Sequence, residues 1–101
     1  MPDLLVLIVD DHPVVVSGCE TILSRDASMK VISAADEKSG FRAFTSKRPD
    51  VSIVDVNLPD LSGFELLRKI RKADPQAAVI MFSMNDDPSF VHRAVELGAR
   101  G

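Results

Sequence analysis

The chain has 101 residues, a formal net charge of −3 and a hydrophobic fraction of 46%, the size and balance of one folded domain. The acidic balance argues against a dedicated nucleic-acid surface, and the absence of Trp and Tyr argues against a base-stacking platform. A lone cysteine, Cys19, excludes an internal disulfide and a cysteine zinc site; with no bilayer-length apolar run and no positive start at Met1-Pro2-Asp3, a cytoplasmic protein without membrane contact is expected.

Taken in chain order, Leu4 to Val9 is a continuous run of branched apolar residues, the habit of a strand covered on both faces. Pro13 then opens a helix whose apolar stripe is Val15, Cys19, Ile22 and Leu23, with Cys19 expected as a small core residue. Met29 to Ala34 is a second, weaker strand. Gly40, Phe41 and Phe44 mark a second helix ending before Pro49. Val51 to Val54 is the third strand, and Ser62 is the expected N-cap of a helix carrying Phe64, Leu67 and Ile70. Arg68, Lys69, Arg71 and Lys72 crowd its last turns, where cations suit the macrodipole and a solvated helix end is expected. Ala78 to Phe82 is a fourth strand, and a fourth helix follows Pro88 and stops at Gly98. Strand starts recur every ~21 to 27 residues, which fits right-handed crossovers and a flavodoxin-like, doubly wound α/β fold with parallel strand order 2-1-3-4.

In such a sheet, ligands bind beyond the carboxyl ends of the strands, where the winding reverses. The first strand ends in Asp10-Asp11, the third in Asp55 and the fourth in Ser83. A single Asp at a strand end is ordinarily a turn or capping residue, and Asp10 alone could cap the helix at Pro13. Acids on both strands flanking the reversal are another matter. Two carboxylates ~5 Å apart repel by roughly 3 kcal/mol at an effective dielectric near 20, so a compensating cation is expected. Hard oxygen ligands with room for water suit Mg²⁺, which also lets a carboxylate approach phosphorus. Asp55 is the carboxylate best placed as nucleophile. His12 follows the acidic pair and reads as a helix-start residue at the rim of the site.

Four blocks carry a family resemblance: Val9-Asp10-Asp11-His12-Pro13, Asp55-Val56-Asn57-Leu58-Pro59-Asp60-Leu61-Ser62-Gly63, Phe82-Ser83-Met84-Asn85-Asp86-Asp87 and Glu96-Leu97-Gly98-Ala99-Arg100-Gly101. The whole chain, 1–101, resembles the receiver domain of a bacterial two-component response regulator, and its opening block is similar to the NarL/FixJ subgroup with a LuxR-type output. The resemblance implies that Asp55 is the phosphoacceptor for a histidine kinase. It implies that Asp10, Asp11, Asp55 and the backbone carbonyl of Asn57 hold Mg²⁺, and that Ser83 is the switch hydroxyl. Pro59 and Gly63 would shape the loop over the site, and Asn57 and Asn85 would tune the lifetime of the phosphoryl group. A Lys and an aromatic residue on a fifth strand, and a last helix, are expected beyond Gly101, so the chain reads as C-terminally truncated. DNA would be met only through an output domain absent from it. An uncovered fourth strand is an apolar edge, and a homodimer through it is expected.

Two other functions fit the same acids. A receiver fold that no longer switches would be a pure interaction domain. A Mg²⁺-dependent phosphatase acting on small molecules would use the same cluster, but the second acid usual two residues after its nucleophile is replaced by Asn57. A nucleotide or flavin binder is disfavoured, because no Gly-rich phosphate loop is present.

Overall fold

The computed structural model describes residues 4–58 and 62–82. The order is β1 (Leu4–Val9), α1 (Pro13–Leu23), β2 (Met29–Ala34), α2 (Glu37–Lys47), β3 (Val51–Asp55), α3 (Gly63–Ala73) and β4 (Ala78–Phe82). The strands form one parallel sheet in the order β2-β1-β3-β4, as expected from the sequence. Winding reverses between β1 and β3, where Ile8 lies beside Ile53 and Val9 beside Val54. That register brings the carboxyl ends of the two strands level. The expected fourth helix, with Phe90, falls outside the described residues, as do Pro59, Ser83, Met84 and Asn85.

The main core lies under α2 and α3. Leu7, Val9, Val54, Val79 and Met81 rise from alternate strand positions and meet Phe44, Phe64, Leu66, Leu67 and Ile70. Phe64, expected on this helix, is part of the core. Helix α2 starts because the Asp36 carboxylate accepts the Ser39 N–H at 2.7 Å. It ends at Arg48, which takes a left-handed φ of 53° ahead of Pro49. Gly40 lets it lie close on the sheet: a β-carbon there would sit 2.9 Å from a Val9 methyl and 3.2 Å from Leu66. Asp50 ties β3 to β1 by accepting the Leu5 N–H at 2.7 Å and donating its own N–H to the Leu5 carbonyl.

Two expectations change. Helix α1 has no fully buried residue; Ile22, placed on the core stripe by its spacing, is 63% exposed, and Cys19 is half-buried rather than core. The reason is location: α1 packs mainly on β2, an edge strand, so one of its flanks is open among the described residues. The basic end of α3 is also not simply solvated. Lys69 reaches the buried Glu37 carboxylate of α2 at 2.5 Å, Arg71 donates to the Ala77 carbonyl at 3.1 Å, and Arg68 pairs with Glu65 at 3.7 Å. The Lys69 and Arg71 contacts tie α3 to α2 and to the turn before β4, so the cluster is structural as well as complementary to the helix dipole.

Candidate functional site

The site begins with two strand ends. Strand β1 runs out at Asp10, whose N–H still pairs with the Ala34 carbonyl of β2. Strand β3 runs out at Asp55, and the next N–H, Val56, bonds the Phe82 carbonyl of β4. Because the register is level, the Asp10 and Asp55 side chains emerge side by side. Asp10 is 2% exposed and Asp55 5%, while Asp11 turns outward. The three acids expected to converge do so: one ligand atom from each of Asp10, Asp11, His12 and Asp55 lies within 4.8 Å of all the others.

His12 is the residue that sequence reasoning undervalued. It is the N-cap position of α1, as a helix-start residue should be, but its ring also enters the acid cluster. Its Nδ1 lies 2.7 Å from Asp10 Oδ1, 3.1 Å from Asp11 Oδ1 and 3.6 Å from Asp55 Oδ2. Its backbone N–H donates to the same Asp10 Oδ1 at 2.8 Å. The sequence signal reached only as far as position: Pro13 at the first turn of α1 makes His12 the N-cap residue next to Asp10 and Asp11, without saying where its ring points.

The electrostatics follow from burial and crowding. The hydrogen bond to Asp10, and then the Asp11 and Asp10 charges, push the His12 pKa above its ordinary value. Burial pushes the Asp55 pKa up and the Asp10 charge adds to it, against a lowering hydrogen bond from the Asn57 N–H to Asp55 Oδ1 at 3.1 Å. Asp10 Oδ2 is buried and has no hydrogen-bond partner among the described residues. A buried carboxylate oxygen without a donor is costly, by about 1–3 kcal/mol or more for a charged group. The donor set is hard, anionic and short of cations, so these residues fit a divalent metal ion. An open cavity of about 390 Å³ between α1 and the end of β2 has Asp10 and Asp11 on its wall.

The floor beneath Asp55 is made by Gly63, the first residue of α3. Its N–H donates to the Val56 carbonyl at 2.7 Å. A β-carbon on Gly63 would stand 2.0 Å from the Asp55 carbonyl oxygen. The start of α3 therefore presses on the peptide that carries Asp55. Asn57 is exposed beside it.

The chain as a whole has known relatives. Residues 6–101 match the family model described as the response regulator receiver domain. The chain belongs to that family. It is 35% identical over 100 residues to the methanol utilization control regulatory protein MoxX of Paracoccus denitrificans, covering 97% of this chain and 45% of that one. It is 33% identical over 101 residues to the transcriptional regulatory protein MctR of Rhizobium johnstonii, covering 99% and 47%. This receiver chain thus spans about half the length of the curated relatives it matches. A two-component response regulator of the LuxR family from Aurantimonas superposes with a TM-score of 0.92 at 33% identity, covering 98% of this chain and 71% of that one. The signal receiver domain of the putative response regulator NarL from Mycobacterium tuberculosis superposes with a TM-score of 0.91 at 27% identity, covering 98% and 81%. The expected family and subgroup are borne out, and with them a two-component signalling domain rather than a classical enzyme. Among the described residues no helix is long and apolar enough to cross a membrane.

Proposed function

We propose that this receiver domain is a phosphorylation-controlled switch in which Asp55 accepts a phosphoryl group from a histidine kinase. The observation that carries the reading is the convergence of Asp10, Asp11 and Asp55, with Asp10 Oδ2 buried and without a hydrogen-bond partner among the described residues. Asp10, Asp11, Asp55 and the backbone carbonyl of Asn57 would hold Mg²⁺, which when bound screens the carboxylate from the anionic phosphoryl group. A carboxylate oxygen of Asp55 attacks phosphorus; the oxygen–phosphorus bond forms, the bond from phosphorus to the donor imidazole nitrogen breaks, and that nitrogen keeps the electron pair. The Asn57 N–H holds Asp55 Oδ1 and limits rotation of the nucleophile. Ser83 would donate its hydroxyl to the phosphoryl oxygen and draw the following loop inward.

In the whole protein this switch would govern a DNA-binding transcription output in the cytoplasm, since the relatives named above include a transcriptional regulator about twice as long. Incubation with acetyl phosphate and Mg²⁺ is expected to add one phosphoryl group by intact mass, and Asp55→Ala to add none. An Asp55→Ala protein that still gains the group overturns the assignment.

The dimer reading rests on β4, the last strand of the sheet among the described residues, where Ile80 is 40% exposed. Pairing there would bury it in a homodimer. Light scattering is expected to show the dimer mass at high concentration, and a monomer throughout contradicts it.

A further inference from the structure

We propose that His12 is itself a ligand of the divalent ion, through Nδ1, and that it shifts the preference of the site from Mg²⁺ toward first-row transition ions that accept an imidazole. The inference rests on the reading that Asp10, Asp11 and Asp55 hold a divalent ion; it adds a fourth side chain and a metal class to it.

Geometry carries the argument. Two donors at right angles on an octahedral ion, each ~2.1 Å from it, stand about 3.0 Å apart. His12 Nδ1 stands 2.7 Å from Asp10 Oδ1 and 3.1 Å from Asp11 Oδ1, the spacing of adjacent ligands on one ion. The third carboxylate, Asp55 Oδ2, lies 3.6 Å away, inside the span of a single coordination shell. A simple hydrogen bond accounts for less, because Nδ1 carries at most one hydrogen and three carboxylate oxygens surround it. The His12 backbone is held at the site: its N–H is bonded to Asp10 Oδ1, and Pro13 constrains the peptide that follows. The other oxygen of the same carboxylate, Asp10 Oδ2, is buried and has no hydrogen-bond partner among the described residues, a second observation that favours a cation on Asp10.

The chemical consequence is selectivity. Oxygen-only sites with several waters suit Mg²⁺, whereas a nitrogen donor favours later first-row ions, whose affinity rises along the series. In the four-residue group His12 is the one nitrogen donor. It is mostly exposed, so replacing it leaves the core untouched.

Calorimetric titration of the chain with Co²⁺ and with Mg²⁺, at one fixed pH, tests this. His12→Ala is expected to weaken Co²⁺ binding by about tenfold or more while changing Mg²⁺ binding by less than about threefold. His12→Gln, which keeps a hydrogen-bond donor but no ring nitrogen, is expected to behave like His12→Ala. The Co²⁺-loaded chain should also show a paramagnetically shifted imidazole resonance that both variants lack. Unchanged Co²⁺ affinity in the variants, or no shifted resonance in the parent chain, overturns the role of His12 while leaving the acid site standing. Asp10→Asn separates the two levels: it should weaken both ions, and a chain in which neither ion binds with or without Asp10 overturns the acid site and this inference together.

Discussion

Gly63→Ala is expected to destabilise the domain by about 3 kcal/mol or more, at the top of the range for overpacking. The added methyl would meet the Asp55 carbonyl oxygen at 2.0 Å, its carbon at 2.8 Å and the Val56 Cα at 3.0 Å. All three are backbone atoms, so no rotamer change makes room. Either the first turn of α3 lifts off, losing the 2.7 Å bond from the Gly63 N–H to the Val56 carbonyl, or the end of β3 moves and takes Asp55 with it. At about 4–8 °C per kcal/mol for a domain of this size, the melting temperature should fall by more than about 10 °C. Divalent-ion affinity should fall too, because Asp55 sits on the displaced peptide. Thermal denaturation with and without Mg²⁺ measures both, and a melting temperature within a degree or two of the parent chain refutes the close contact.

Asp10→Asn is expected to reverse its effect on stability when a divalent ion is added. Without the ion the substitution removes one of three crowded carboxylates and keeps an oxygen that can accept from His12, so the domain should gain about 1–2 kcal/mol. With Mg²⁺ at a hundred times its dissociation constant the parent chain gains about 2.7 kcal/mol by mass action, and the variant gains little of that. The two melting curves should therefore change order. pH acts in the same sense. His12 and Asp55 both have raised folded-state pKa values, so without metal the folded chain binds protons more tightly than the unfolded one. The stability from Asp55 is complete below its unfolded value and lost as pH rises through its raised one; that from His12 is complete below its unfolded value near 6.5 and lost as pH rises through its own raised value. Metal-free stability should fall with rising pH from these groups, and saturating Mg²⁺ should remove most of that fall. Melting curves that keep one order at every Mg²⁺ concentration contradict the cluster as an ion site.

The second of these results rests on the buried acid Asp10, and its burial was not legible from the chain. Asp10 and Asp11 are adjacent and chemically identical, yet one is 2% exposed and the other faces outward. Alternation along a strand says that they point opposite ways; it does not say which way is covered. Cover depends on elements far off in sequence, such as the end of β2, where the Ala34 carbonyl accepts the Asp10 N–H. The same reason explains α1. Its apolar spacing put Ile22 on the core stripe, but Ile22 stays exposed because α1 packs mainly on β2, at the edge of the sheet.

From the residues alone came the four strands, the three described helices, the acids at the carboxyl ends of the first and third strands, and the family. Those follow from local rules: continuous apolar runs, proline and serine at helix starts, and motif spacing around Asp55. Only the tertiary structure decided that the His12 ring joins the acids, that Asp10 is the buried one, and that Gly63 presses on the peptide of Asp55. Each depends on the level register of β1 against β3 and on connections closing over it, and register is a property of paired strands that neither strand carries by itself.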